Sequence, residues 1–214
     1  MKIAFIFAHP DDESYGPAGT ISKLSLTEEV HVFSLCNGSR PGNEWVSEER
    51  KKSFHKACKL MGAKPTIYDY SDSSLNYQNT LRTIENIIKE YCPDIVYTHN
   101  IGDIHLDHRL VSESCMVACR PKPNSNVKKL YFCELPASTD WSFSKIDSKF
   151  EPNTFVDVTN FMDLKRQCLK LYTTEIYEYP DCRSVESMET RSKFRGTQIG
   201  VNFAEAFQLV FSKD

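Results

Sequence analysis

The chain has 214 residues, 40% of them hydrophobic, so it is long and apolar enough for one α/β domain with a sizeable core. Its formal net charge is −3 and its basic residues are scattered, which excludes the concentrated positive surface that binds nucleic acids or anionic membranes. The first apolar run, 3–8, ends in His-Pro-Asp-Asp instead of a signal cleavage site, and no run approaches the ~18 apolar residues of a membrane helix, so we expect a soluble, cytoplasmic protein with no transmembrane segment.

Short apolar runs alternate with helical patterns along the chain. Strands are predicted at 2–8, 29–37, 66–71, 95–99, 127–135 and 154–159, and partly at 203–211. Helices are predicted at 16–26, 47–61 with Ser47 as the N-cap, 79–91, 110–119, 162–177 and 185–195, and 100–109 is predicted as a polar loop. Strands that alternate with helices predict a mostly parallel sheet with helices on both faces, in a single α/β domain that spans residues 1–214.

The eight cysteines predict a reduced protein. They lack paired short spacings and no CxxC occurs, which argues against a zinc ribbon or a thioredoxin-like site. Most of them lie inside apolar segments such as "KACKLMG" and "YFCEL", as reduced core cysteines do.

Two polar clusters directly follow apolar strands. In parallel sheets, sites form outside the carboxyl ends of the strands, so the clusters would face each other if their strands were neighbours. The sequence permits this adjacency without showing it. The candidate residues are His9, Asp11 and Asp12 in the first cluster, and Asp103, His105, Asp107 and His108 in the second.

These residue types suit a catalytic metal. Imidazole and carboxylate groups bind zinc or iron(II), and a catalytic zinc needs three protein ligands and an open position for water. Two histidines and one carboxylate meet that need and leave other carboxylates to act as a base. Taken singly, His9 reads as a hydrogen-bonded polar residue, Asp11-Asp12 as a turn or N-cap, and "HLDH" as an ordinary polar loop. Together, after two buried strands, they favour a metal site.

The motif "AHPDDE" followed by "THNIGDIHLDHR" resembles the PIG-L/LmbE family of zinc-dependent de-N-acetylases, which act on N-acetylglucosaminyl conjugates of inositol and malate. The segment "EERKKSFHKACKLMG" is similar to the family's arginine-containing helix, and "RGTQIGVNFAEAF" to its closing segment, so the resemblance spans almost the whole chain. It implies a Rossmann-like α/β sandwich.

The resemblance also implies roles for individual residues. His9, Asp12 and His108 become ligands of Zn²⁺, with Fe²⁺ as the alternative. Asp11 becomes the general base for attack by a zinc-bound water.

Three further roles follow from the same resemblance. His105 becomes the group that stabilises the tetrahedral oxyanion, Asp107 the carboxylate that orients and charges His105, and Arg50 a contact to substrate. Some family members place an oxyanion-binding tyrosine in the last third of the chain. A gapless alignment puts Ser184 at that position, so this role stays unassigned.

We therefore expect a hydrolase that removes acetyl from an N-acetylated amino sugar or sugar conjugate. Its partner would be a small-molecule amino sugar and not a nucleic acid, and homo-oligomerisation is left open. The segments 37–46 and 135–151 are expected to line the entrance. Two alternatives are a deacylase of another N-acyl amide, such as a formamido sugar, a glycopeptide acyl chain or a non-sugar amide, and a catalytically silent metal- or sugar-binding protein.

Overall fold

The described part of the chain, residues 1–40, 42–123, 125–143 and 149–213 of a computed structural model, folds around a seven-stranded sheet. The strands are β1 (Lys2–Phe7), β2 (Glu29–Cys36), β3 (Lys64–Tyr70), β4 (Ile95–His99), β5 (Lys129–Cys133), β6 (Thr154–Asp157) and β7 (Ala204–Ser212). The helices are α1 (Asp12–Tyr15), α2 (Ala18–Leu24), α3 (Glu44–Met61), α4 (Tyr77–Tyr91), α5 (Leu106–Ala118), α6 (Met162–Lys170) and α7 (Val185–Thr197).

The strand order is β3-β2-β1-β4-β5-β7-β6. The first five strands in this order are parallel, whereas β7 runs antiparallel to both β5 and β6. The chain moves outward from β1 to β3 and then returns to β4 on the other side of β1. This reversal makes the carboxyl ends of β1 and β4 the switch point of the sheet, where α/β proteins place their sites.

Both faces of β1 are buried, which explains its continuous apolar sequence. Ile3, Phe5 and Phe7 pack in one core cluster, which also contains residues of α2, α3 and α6. Ala4 and Ile6 pack in a second cluster with residues of α4 and α5. Helices therefore cover both faces of the sheet, and the predicted mostly parallel α/β fold is confirmed.

Three predicted helix boundaries are wrong. Helix α3 begins at Glu44 and not at Ser47, whose buried hydroxyl donates to the Asn37 carbonyl at 2.9 Å. Helix α5 begins at Leu106, four residues earlier than predicted, because the ring of His105 accepts a hydrogen bond from the main chain of Asp107 and caps the helix. Helix α6 ends at Lys170, since the following Thr-Thr pair and Ile176 favour helix poorly.

All eight cysteines lie in the described ranges and none forms a disulfide. Six are buried, which confirms the prediction of reduced core cysteines for them, whereas Cys92 is exposed and Cys182 is partly buried. Among the helices of the described ranges, none combines the length and the apolar character needed to cross a membrane.

Glu205 on β7 joins three elements through its buried carboxylate. Its two oxygens accept hydrogen bonds from the amides of Gly19 at 3.0 Å and Thr20 at 2.7 Å, in the first turn of α2. The ammonium group of Lys165, on α6, lies 2.7 Å from one of these oxygens and is itself 2% exposed. Glu205 thus compensates both a buried cation and the amides at a helix start.

We expect Glu205→Ala to lower the free energy of unfolding by about 3–5 kcal/mol, because it leaves the buried charge of Lys165 with a carbonyl contact to Gly16 but no carboxylate. Equilibrium urea unfolding measures this loss. Lys64→Ala is the matched control, since it removes a solvent-exposed ion pair with Glu29 and should cause no resolvable change. Equal effects of the two substitutions would contradict a structural role for the buried pair.

Candidate functional site

The two predicted polar clusters meet at the switch point of the sheet. Parallel pairing aligns β1 with β4, from Ile3 opposite Ile95 to Phe5 opposite Tyr97. The segment after β1 therefore lies against the segment after β4 and the first turn of α5. The adjacency that the sequence only permitted is present in the structure.

His9, Asp12 and His108 bring two ring nitrogens and the two oxygens of one carboxylate together. Nδ1 of His9 lies 3.2 Å from Nε2 of His108, and the carboxylate oxygens of Asp12 lie 3.6 Å from the first nitrogen and 3.5 Å from the second. Zinc–nitrogen bonds of 2.0–2.1 Å in tetrahedral geometry need donor atoms about 3.4 Å apart. The donor set and its spacing therefore fit a divalent metal ion of this size.

The charges of this group favour a cation. Burial alone would lower the pKa of His9, yet its hydrogen bonds to Asp107 and Asp12 outweigh burial and raise that pKa to about 10. Burial would raise the pKa of Asp12, but His108, His99 and His9 hold it well below its usual range. The carboxylates thus make this point of the site strongly attractive to positive charge, and metal ions compete with protons for such ligands.

Each of the two histidines also has a carboxylate on its other ring nitrogen. Nδ1 of His108 lies 3.0 Å from Asp103, whose second oxygen accepts a hydrogen bond from Thr139 at 2.8 Å. Nε2 of His9 lies 3.1 Å from Asp107. Carboxylates placed in this way fix the tautomer and orientation of histidine ligands. Asp103 and Asp107 therefore support the candidate ligands from behind.

The predicted relation between Asp107 and His105 is wrong. The Asp107 carboxylate faces His9 and the amide of Ser73, at 3.1 and 2.7 Å, and its contact with His105 is made by the main-chain amide, which donates to Nδ1 at 3.2 Å. A ring nitrogen that accepts a hydrogen bond carries no proton. Burial and the neighbouring His9 and His108 lower the pKa of His105 to about 4, so His105 is neutral, not cationic.

Two further groups of potential ligands in the described part of the chain share His108. One combines it with His9 and His105, and the other with Asp12 and His99. Nε2 of His99 already accepts a hydrogen bond from the amide of Ala8 at 2.8 Å, and its ring stacks on that of His108 with centroids 3.8 Å apart. His99 is therefore better suited to hold His108 in place than to bind an ion.

Asp11 points away from the histidines. Its carboxylate lies 3.3 Å from the guanidinium of Arg50 and 3.1 Å from that of Arg183. Burial raises its pKa to about 6, although both arginines oppose the rise. Its φ of 146° is uncommon for a residue with a side chain, and the carboxylate of Glu13 holds this backbone by accepting from the Asp11 amide at 3.1 Å. Asp11 and Asp12 are neighbours in the chain, but the Asp12 carboxylate lies among the histidines and the Asp11 carboxylate among the arginines.

A wall of ion pairs surrounds Asp11. Arg50 is 2% exposed and contacts Asp72 at 2.8 Å and Glu175 at 3.8 Å. Arg183 and Arg40 contact the same Glu175 carboxylate at 3.0 and 3.2 Å. Arg50, the predicted substrate contact, thus lies at the site with its guanidinium already paired to carboxylates.

Three residues of this wall are absent from the sequence prediction. Asp72 follows β3, so the rule that found the other two clusters would also have found it. Glu175 and Arg183 lie in the irregular segment between α6 and α7, where no periodicity marks them. The hydroxyl of Tyr15 fixes this segment by donating to the carbonyls of Glu175 at 2.7 Å and Arg183 at 3.1 Å.

The ligand group and the wall open into one cavity of about 600 Å³, a volume typical of small-molecule sites. Arg40 and residues 135–138 line it, as expected for the two entrance segments, whereas Pro41 and 144–148 of those segments lie outside the described residues. Ser184, at the position of the family tyrosine, is buried as the N-cap of α7 and does not line the cavity. Its neighbour Arg183 does.

Comparison with known proteins agrees with this geometry. The family described as "PIG-L: GlcNAc-PI de-N-acetylase" matches residues 4–119, more than half of the chain. An uncharacterized deacetylase of Escherichia coli is 30% identical over 56% of this chain and 69% of its own length. The diacetylchitobiose deacetylase of Thermococcus kodakarensis is 25% identical over 98% of this chain and 83% of its own.

Solved structures show the same fold. The N,N'-diacetylchitobiose deacetylase of Pyrococcus horikoshii superimposes with a TM-score of 0.79 at 22% identity, over 98% of this chain and 83% of that one. A 4-carboxy-2-hydroxymuconate hydratase of Pseudomonas putida superimposes with a TM-score of 0.74 at 20% identity, over 100% and 98%. The fold alone therefore does not fix the reaction, but the sequence match does fix the family: the chain belongs to the PIG-L (GlcNAc-PI de-N-acetylase) family.

Proposed function

We propose that this protein removes the acetyl group from an N-acetylated amino sugar or sugar conjugate by metal-dependent hydrolysis, with residues 1–214 acting as one deacetylase domain. Family membership and the named activities of the relatives support deacetylation. The observation that carries the proposal is the convergence of His9, Asp12 and His108, with ligand atoms 3.2–3.6 Å apart, beside a carboxylate that lies outside this group. A cytoplasmic location remains a prediction, and homo-oligomerisation is left open.

His9, Asp12 and His108 would hold Zn²⁺ or, alternatively, Fe²⁺. Such an ion, when bound, lowers the pKa of a coordinated water to about 7 and polarises a carbonyl oxygen. The chain's own contribution is to fix the two imidazoles through Asp103 and Asp107 and to keep Asp11 out of the ligand set.

Asp11 is the proposed general base. It would take a proton from the attacking water while the water oxygen bonds to the acetamide carbon. The same proton would pass to the amine nitrogen as the carbon–nitrogen bond breaks, and the second proton of the water would pass from the acetic acid to the amine, which yields acetate and an ammonium group. Arg50 and Arg183 hold the carboxylate in place for both steps.

His105 is the proposed oxyanion donor, in its neutral form. Its Nδ1 accepts from the Asp107 amide, so the ring proton is on Nε2. The ring lines the cavity, and a donor of this kind lowers the activation barrier by about 3–4 kcal/mol. Substrate contacts are assigned to Arg50, as the family resemblance implies, and to Arg40, whose side chain is half exposed at the cavity rim.

We expect Asp11→Ala to keep bound metal and to lose deacetylation by a factor of roughly 10²–10⁴, the usual contribution of a general base. His108→Ala should lose both, because it removes a ligand. The measurements are metal content by elemental analysis and acetate release from a panel of N-acetyl amino sugars, with and without added zinc.

The same assay separates the alternatives. Release of formate or a longer acid from other amides, with no release of acetate, would show that the protein is a deacylase of another N-acyl amide. Metal binding without turnover of any amide would favour the silent binding protein, and near-full activity of Asp11→Ala would show that another residue is the base.

Asp103→Asn should weaken metal binding by about 10–100-fold, because it removes the negative charge behind His108. Activity should recover at saturating metal, since Asp103 contacts no predicted reacting group. Thr139→Val is the control, because it removes only the second hydrogen bond of Asp103 and leaves the charge. Metal titration monitored by fluorescence or calorimetry measures the affinities. An unchanged affinity in Asp103→Asn would contradict the supporting role.

A further inference from the structure

A separate group of potential metal ligands lies beside His9. Cys36, Asp72 and His9 each offer one ligand atom, and these atoms lie within 4.8 Å of one another. Nδ1 of His9 is directed at His108 and Asp12, whereas Nε2 faces Asp107. The same Asp107 oxygen accepts from the amide of Ser73, the neighbour of Asp72 along the chain, so this group adjoins the Nε2 edge of the ring.

Two unpartnered oxygens mark the same place. Oδ1 of Asp72 and Oδ1 of Asp107 are buried and have no hydrogen-bond partner. The two side chains are 9% and 1% exposed. Unpaired buried carboxylate oxygens are costly, and a cation bound at Oδ1 of Asp72 would satisfy that oxygen directly.

We propose that Cys36, Asp72 and the Nε2 edge of His9 form a second site for a thiophilic divalent cation such as Zn²⁺, Cd²⁺ or Co²⁺, and that filling this site inhibits the enzyme. Sulfur, imidazole and carboxylate together are a zinc-type ligand set. The Cys36 thiol makes only a weak 3.6 Å contact to the Ser71 carbonyl. On binding, two protons would leave to solvent: the thiol proton of Cys36 and the Nε2 proton of His9, which otherwise faces Asp107. His9 and Asp72 line the cavity and give the ion its entry path.

Inhibition follows from the contact that the second ion would replace, and this part rests on the proposed function. Coordination by Nε2 removes the hydrogen bond from His9 to Asp107, which orients a proposed metal ligand. Coordination through Oδ1 of Asp72 would leave the 2.8 Å pair between its Oδ2 and Arg50 in place, so the inhibition follows from the loss of the contact between His9 and Asp107. Since His9 would serve both sites, the second site should bind at least tenfold more weakly than the first.

Cobalt titration of the metal-free full chain tests the site, because cobalt bound to a thiolate gives an intense charge-transfer absorption that histidine and carboxylate ligands do not give. We expect this absorption to appear only after the first equivalent, and to be absent in Cys36→Ser and Cys36→Ala. Cys92→Ser is the control, since it removes the exposed thiol and should keep the absorption. No absorption in the wild type at saturation, or its persistence without Cys36, would overturn the proposal.

Turnover measured against added zinc tests inhibition. Wild-type activity, relative to its value at one equivalent, should fall as the second site fills, and Cys36→Ser should need at least tenfold more zinc for the same loss. Asp72→Asn should weaken the cobalt absorption if the carboxylate is a ligand. Equal inhibition of wild type and Cys36→Ser would overturn the inhibitory role. If no amide is turned over, the proposed function fails, while the absorption still decides the site.

Discussion

Parallel pairing between β1 and β4 is the constraint on which the site depends. The ladder from Ile3 opposite Ile95 onward fixes where each strand ends, and each end carries its polar cluster directly into the next helix. A slip of one residue in this register would turn the buried faces of β1 toward the wrong clusters. The same register therefore determines which residues of β1 are buried and where His9 and Asp12 lie.

The many carboxylates of the site fall into two groups. One group is balanced by histidines and the other by arginines. Histidines surround Asp12, Asp103 and Asp107, and this side attracts a further cation. Arginines surround Asp11, Asp72 and Glu175, and on this side the charges compensate one another. The histidine side and the arginine side meet at the short turn of residues 9–12 and at Ser73, whose amide donates to Asp107 beside Asp72. A buried network of this kind is stable only when each charge keeps its partner.

The sequence predicted those parts of the site whose residues lie close together in the chain, and it missed the parts that depend on distant residues. The two polar clusters are contiguous motifs after apolar strands, so chain order and strand burial showed that they could face each other, whereas the choice of His9, Asp12 and His108 came from the family resemblance. The partners of Asp11 are not local: Arg50 comes from α3, and Arg183 and Glu175 come from an irregular segment more than 160 residues further on. The hydroxyl of Tyr15 and the ion pairs of Arg183 and Glu175 tie that segment to the site, and no sequence motif encodes such contacts.

Asp107 and His105 contact other groups than the family resemblance implied. They show that residue type and spacing do not determine which partners side chains reach at the start of a helix. Two residues apart at the beginning of α5, the side chains diverge: the His105 ring folds back to accept the Asp107 amide, and the Asp107 carboxylate is free to reach His9. Asp107 thereby contacts a proposed metal ligand, His9, and not the His105 ring. His105 stays neutral and can donate only from Nε2. A neutral donor gains no extra proton to deliver, so within the proposed reaction Asp11 is left to carry the proton from water to the amine.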